Sequence, residues 1–451
     1  MAGSPTSSRN AEATVPAADQ AARQAIEAVF RIERPRLVAA LTRLLRDLDA
    51  AEELAQDAFL AALVDWPRRG VPGRPGAWLM TTARRRAIDR LRRQQRRGAP
   101  AGLDEAAWPA PASPFPGIAE IEAQLDDDIG DHRLGLIFAA CHPLLRPDAR
   151  VALTLRLLGG LETAEIARAF LTREATVAQR IVRAKRMLGE ARVDFEVPHG
   201  EERRRRLVSV LEVLYLIFSE GYAATRGEDL LRPALCQEAR RLGRILARLV
   251  PDEPEAWGLL ALMDLQASRL AARTSPDGRP VPLPRQDRGR WDWLLVRSGL
   301  EALEQADRLA SDAGIYQLQA RIAACHARAV VPASTDWPRI AGHYDRLLAV
   351  MPSPVVALNR AIAHGMAFGP ELGLQLLDGL ARAPALQDHP GLPAARADCL
   401  ARAGRLAQAR AEFERAAGLA GNARQREFLL ERAREAAMGD NTQVSATPAS
   451  P

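Results

Sequence analysis

Nowhere along its 451 residues does this chain alternate β-branched and polar residues in the period-two pattern of a half-buried strand. Ala, Leu, Arg and Glu dominate instead, and aromatic residues are only 5% of the whole. Such a chain can bury its apolar side chains only along helical stripes, so the expected fold is all-α. Its length predicts two or three domains, with enough material for buried cores.

Several function classes fall away on composition. The net charge is only +6, so any strong basic character must be local. No apolar run approaches the roughly 18 residues a membrane span needs, and the opening "MAGSPTSSRNAEATVPAADQ" lacks the apolar stretch of a signal peptide. Residues 1–20 are expected to be a disordered leader and 438–451 a disordered tail. Cys141, Cys236, Cys325 and Cys399 show no CxxC spacing and are expected as core residues, with no metal or cofactor implied. These features together predict a cytoplasmic protein.

The most unusual segment is "WLMTTARRRAIDRLRRQQRR", residues 78–97. At 100° per residue, Leu79, Met80, Ala83, Ala87, Ile88 and Leu91 fall on one half of a helix. Trp78, Thr81, Thr82, Arg85, Arg86, Asp89, Arg92 and Arg93 fall on the other. A charge run is usually a solvated face, but a tryptophan among arginines gains nothing from water. Beside phosphate-binding arginines it can stack on a base.

Further along, "LETAEIARAFLTREATVAQRIVRAKRML" carries a helix-turn-helix pattern. Thr163 is expected to cap a short helix whose Ile166, Ala167 and Phe170 face inward. A tight connection at Leu171 and Thr172 leads into a helix from about Arg173 to Leu188, with Val177, Ile181, Ala184 and Leu188 as its buried stripe. Arg173, Thr176, Gln179, Arg180, Arg183 and Arg186 lie beside or opposite that stripe, the residue types that major-groove reading and phosphate anchoring need. Upstream, "LDAAEELAQDAFLAAL" suggests Asp49 as an N-cap with Glu52 three residues on. Its Leu54 and Ala58 point inward, and Glu52, Glu53, Gln56 and Asp57 form an acidic outward face suited to a basic protein partner.

In this order, the three segments resemble a bacterial RNA polymerase sigma factor of the extracytoplasmic-function type, over roughly residues 21–192. The resemblance implies a region-two domain at 21–97, a linker at 98–129 and a region-four helix-turn-helix domain at 130–192. Asp49, Glu52, Glu53, Gln56 and Asp57 would then dock on the clamp helices of core RNA polymerase, whose flap would meet region four. Trp78, Thr81, Thr82, Arg85, Arg86, Asp89, Arg92 and Arg93 would hold the melted minus-ten strand, with Trp78 as the wedge and the arginines on phosphate. Arg173, Thr176, Gln179, Arg180, Arg183 and Arg186 would read the minus-thirty-five element. The loop "DWPRRGVPGRPG" at 65–76 stands where the family holds a flipped base. Arg85 departs from the asparagine that most relatives place seven residues after the tryptophan.

Residues 200–437 exceed a minimal sigma factor. "ALNRAIAHGMAFGPELGLQLLDGLARA" and "ARADCLARAGRLAQARAEFERAAGLAGN" align at an offset of about 35 residues, matching Gly369 to Gly404. That period predicts a tetratricopeptide-like solenoid with a binding surface for a regulator or ligand. The polar insertion at 273–290 is expected to be a surface loop. The layout resembles the sigma subgroup with a long extension of this kind, which implies that the extension regulates activity.

No P-loop, GxGxxG or nucleophile elbow is present, and Cys141-His142 before Pro143 reads as a helix end, so no enzyme is expected. The alternative is a one-component helix-turn-helix regulator with a solenoid sensor; it leaves the acidic and the Trp/Arg helices unused. A solenoid scaffold leaves both N-terminal modules unexplained.

Overall fold

The computed structural model describes residues 17–98, 133–170, 172–222, 231–276, 279–310, 312–421 and 423–445. The linker at 98–129 lies almost wholly outside them. Among the described residues the fold is all-α, the only strand-like pairing being one bridge, Thr274 to Pro280. Two compact units form: Met1–Glu162 with Ala178–Arg206, and Thr163–Val177 with Leu207–Pro451. They cut across the modules read from sequence, because helices of 130–192 contribute to both.

In the first unit, α1 (Ala17–Leu45), α2 (Leu48–Arg69) and α3 (Pro75–Gly98) pack on one another. Helix α1 starts inside the segment expected as a disordered leader. The N-cap of α2 is Asp47 rather than Asp49: its Oδ1 accepts from the backbone N–H groups of Asp49 and Ala50 at 2.9 and 3.1 Å. Asp49 is thereby in the first turn, and the expected capping box does not form. The apolar stripe of α3 is as expected, with Leu79, Ala83 and Ala87 fully buried. A helix over residues 133–140 (α4) and α5 (Pro147–Leu157) complete the described part of this unit together with the later part of α7 (Glu174–Glu190) and the start of α8 (Gly200–Tyr222). Helix α4 ends at Cys141-His142, where His142 Nδ1 accepts from the Leu144 N–H at 3.1 Å. This is the helix end expected there. Burial pushes the Cys141 thiol up to about 12, so it stays protonated.

The second unit opens with α6 (Thr163–Ala169), whose first helical residue is Thr163 itself. The chain then continues through α9 (Pro233–Leu249), α10 (Pro254–Ala267), α11 (Trp293–Leu309), α12 (Ile315–Arg328), α13 (Trp337–Val350), α14 (Pro354–Phe368), α15 (Pro370–Leu380), α16 (Gly391–Arg402), α17 (Leu406–Leu419) and α18 (Ala423–Ser445). Helix α18 runs on into the segment expected as a disordered tail. Successive helices from α9 onward pack on their neighbours. The 35-residue offset is visible as structure, because α14–Gly369–α15 and α16–Gly404–α17 are equivalent pairs. Both glycines sit at positive φ, 111° and 75°, where the turn needs a residue without Cβ.

The insertion at 273–290 is not a simple surface loop. Arg288 is buried, donates to the His326 carbonyl at 2.6 Å and to the Ala329 carbonyl, and lies 4.7 Å over the buried Trp291 ring. Desolvating a guanidinium is costly, and the two carbonyls and the ring face offset that cost. Deeper in, the fully buried Asp264 of α10 accepts from Arg240 Nε at 2.6 Å and Ser298 Oγ at 2.7 Å, joining α9, α10 and α11.

Candidate nucleic-acid and partner interfaces

Helix α3 presents Thr81, Arg85, Asp89, Arg92 and Arg93 exposed along one side, with Thr82 and Arg86 half-buried at its margin. The two threonine hydroxyls bond back to the carbonyls of Ala77 and Trp78, both at 2.9 Å. Trp78 is half-buried, because its ring packs edge-to-face on Trp66 with centroids 5.7 Å apart. A reason other than DNA therefore exists for the tryptophan: it covers the end of α2. Arg86 reaches Asp57 of α2 at 3.6 Å, and Arg90 donates to Glu53 at 2.5 Å, so two cations of α3 are paired with acids of the neighbouring helix.

The acidic face of α2 divides in two. Glu53, Gln56 and Asp57 lie on the accessible side, where Leu60 and Val64 are more than half exposed, at 51% and 57%. A shallow depression there is lined by Asp57, Leu60, Ala61, Val64, Asp65 and Arg86. This apolar strip escaped the sequence reading. Extending the stripe from Glu53 and Asp57 by three and seven residues reaches Leu60 and Val64, so the signal was present in the spacing.

Glu52 was expected to face outward and does not: its side chain is only 14% exposed. Arg34 of α1 donates to it at 2.5 Å, Arg156 of α5 lies 3.8 Å away, and Lys185 of α7 donates to its other oxygen. Lys185 also donates to Asp49 at 2.7 Å. Burial works against the charge on Lys185, but Glu52 and Asp49 outweigh it and hold the ammonium above its ordinary pKa. Burial likewise lowers Arg34, with Glu52 opposing.

Both helices expected for the helix-turn-helix are present, with Phe170 at the end of the first only half-buried. Ile166 and Ala167 are buried in α6, and Val177, Ile181, Ala184 and Leu188 make the buried stripe of α7. Thr172 N–H bonds to the Ala167 carbonyl at 3.0 Å in the turn; Leu171 lies outside the described residues. Arg173, Gln179, Arg183 and Arg186 are exposed, and Thr176 and Arg180 half-buried. Arg180 pairs with Asp148 at 3.1 Å and Arg186 with Glu190 at 3.5 Å. Within the second unit, Arg232 donates to the Ala169 carbonyl at 2.5 Å, tying the end of α6 to the residue that precedes α9.

Among the described residues no helix is long and apolar enough to cross a membrane, and no three His, Cys, Asp or Glu side chains are placed to hold a metal ion.

Residues 29–97 match the Sigma-70 region 2 family, 136–188 the Sigma-70 region 4 family, and 206–307 a family of unknown function, DUF6596. An uncharacterised protein of Rhizobium meliloti (strain 1021) is 41% identical over 402 residues, 88% of this chain and 92% of that protein. The RNA polymerase sigma factor CarQ of Myxococcus xanthus is 33% identical over 145 residues, 32% of this chain and 76% of CarQ. The probable extracytoplasmic-function sigma factor SigI of Mycobacterium tuberculosis (strain CDC 1551 / Oshkosh) is 28% identical over 180 residues, 40% of this chain and 59% of SigI. Both sigma regions, in order and followed by a helical C-terminal extension, place this chain in the family it matches: it belongs to the extracytoplasmic-function RNA polymerase sigma factors, which act in transcription initiation.

Proposed function

We propose that the chain directs core RNA polymerase to a two-part promoter, with its helical extension governing when it does so. The observation that carries this reading is the exposed row of α3, where Thr81, Arg85, Asp89, Arg92 and Arg93 run beside Trp78 on a helix anchored by buried Leu79, Ala83 and Ala87. A cationic row with one aromatic edge suits a single strand whose bases have been unstacked. Arg92 and Arg93 neutralise phosphates there, and Arg86 joins them on leaving Asp57. Arg85 faces the strand where relatives have a smaller amide, which favours a different minus-ten sequence.

Docking on the polymerase clamp helices uses Glu53, Gln56 and Asp57, with Leu60 and Val64 supplying apolar contact area between the charges. Asp49 and Glu52 join that surface when their own cations release them. Region four reads the minus-thirty-five element through Arg173, Thr176, Gln179, Arg180, Arg183 and Arg186 and meets the flap. The bond-making chemistry belongs to the polymerase, so this chain is a cytoplasmic binding subunit without a cofactor. The extension has a direct hold on the helix-turn-helix through Arg232 and Ala169, which supports a regulatory role, and its solenoid surface is where an effector would act.

In-vitro transcription with core RNA polymerase on promoter DNA from upstream of the protein's own operon tests this. Initiation that requires the protein and weakens with Trp78→Ala supports it. Tight duplex binding without polymerase, and no initiation, would replace it with a one-component regulator.

A further inference from the structure

The same acidic patch that the sigma reading assigns to polymerase is already occupied by cations of this chain. Glu52 offers two carboxylate oxygens. Oε1 accepts from Arg34 at 2.5 Å with Arg156 Nε 3.8 Å away, and Oε2 accepts from Lys185. Lys185 spans to Asp49 as well, at 2.7 Å, and its side chain is only 13% exposed. Arg34 also donates to the Arg156 carbonyl at 2.7 Å, so the cluster is knitted to α5 by backbone as well as by charge. Three cations from three helices thus close over one carboxylate of α2. Two of them, Arg156 and Lys185, come from the region-four part of the chain.

Lys185 differs from its basic neighbours on α7. Arg183 and Arg186 are exposed and stand free of α2, whereas Lys185 turns toward α2 and donates to two of its acids, Asp49 and Glu52. A lysine committed there does not serve DNA reading. A half-buried ion pair of this kind is screened by salt far less than a surface one.

Resting on the sigma reading, we propose that Lys185, with Arg156, acts as an internal competitor for the polymerase-docking acids: pairing with Asp49 and Glu52 holds regions two and four closed, and core polymerase must displace it to dock. The basic partner surface of polymerase and the basic patch of this chain are then alternatives for the same carboxylates. Apparent affinity for polymerase is reduced by the fraction of molecules that stay closed. Opening exchanges the internal ion pairs for external ones, so its net cost stays within reach of a docking partner. The outer half of the face, Glu53 to Val64, is the more open to solvent, its acids pairing among the described residues with Arg90 and Arg86 of α3, and can make the first encounter while Glu52 is still enclosed.

Zero-length carbodiimide cross-linking of the full chain, read by mass spectrometry, tests the contact directly. In the free protein, Lys185 is expected to cross-link to Glu52 or Asp49, and the yield should fall when core polymerase is added. Alongside it, polymerase affinity is measured for the wild type, Lys185→Arg and Lys185→Glu. Lys185→Glu is expected to bind about tenfold more tightly and Lys185→Arg like the wild type, a coupling of ordinary allosteric size. A cross-link that persists undiminished in the polymerase complex, or equal affinity of Lys185→Glu and wild type with both folded by circular dichroism, would overturn the proposal while leaving the sigma reading intact. A cross-link present in the free chain with no polymerase binding by any form would overturn the sigma reading, and the competitor with it.

Discussion

The indole of Trp78 stands edge-on to that of Trp66, centroids 5.7 Å apart and planes at 68°. Trp66 is buried at the end of α2, at 2% exposure, while Trp78 remains half-open at the start of the cationic row. One ring is therefore a core residue, and the other packs against it while staying partly open to solvent. The edge-to-face geometry fixes the angle at which Trp78 is presented.

That division predicts opposite phenotypes. Trp66→Ala should cost about 3–5 kcal/mol of stability, as large core truncations do. Trp78→Ala should cost less than that, since part of its surface is already in water and its main partner is the Trp66 ring edge. In the polymerase complex, permanganate reactivity of thymines in the minus-ten element should drop sharply with Trp78→Ala at a temperature where the variant is fully folded. Unchanged reactivity would make Trp78 a packing residue only.

Arg232, the residue before α9, donates to the Ala169 carbonyl at the end of α6 and also pairs with Glu220 of α8. Arg232→Ala removes both the charge-assisted hydrogen bond to the Ala169 carbonyl and the largely buried ion pair with Glu220, at a cost of about 3–5 kcal/mol. Hydrogen–deuterium exchange should rise across residues 163–177 and leave α16 and α17 unchanged. Exchange raised throughout the extension would mean that Arg232 supports the fold generally.

His326 is held neutral. Burial, followed by the charges of Arg269 and Arg288, lowers its pKa from 6.5 to about 4. Between those values only the unfolded chain binds the proton, so this contribution is full above about pH 6.5 and lost as pH falls toward 4. Taking the chain from pH 7 to pH 5 should cost about 2 kcal/mol through this residue. Urea unfolding of the full chain and of His326→Gln at both pH values checks it, because the variant should lack that part of the decline.

The repeat turns give a contrast in backbone terms. At Gly369, φ 111° and ψ 154° lie in a region open almost only to glycine, so Gly369→Ala should destabilise by about 1–3 kcal/mol. Gly342 lies inside α13 in open space, and Gly342→Ala should stabilise by about 0.5–1 kcal/mol. Thermal unfolding of the two variants should move in opposite directions.

Much of this protein could be read from its sequence by itself. Helical periodicity determined the all-α class, the buried stripes of α3 and α7, and the paired repeats around Gly369 and Gly404, because 100° per residue converts spacing directly into faces. The order of acidic helix, Trp/Arg helix and helix-turn-helix carried the family. Periodicity describes one helix at a time, however, and does not say what packs against a face. Glu52 reads as solvated on the wheel of α2, yet Arg34, Arg156 and Lys185 arrive from positions 18, 104 and 133 residues away and enclose it. Arg288 reads as part of a polar loop, yet carbonyls of α12 and the segment after it take it into the interior. Charge in a sequence marks a residue as polar; whether its partner is water, another helix or a different molecule is decided only when distant segments meet, since a desolvated charge survives where tertiary contacts supply its counter-groups.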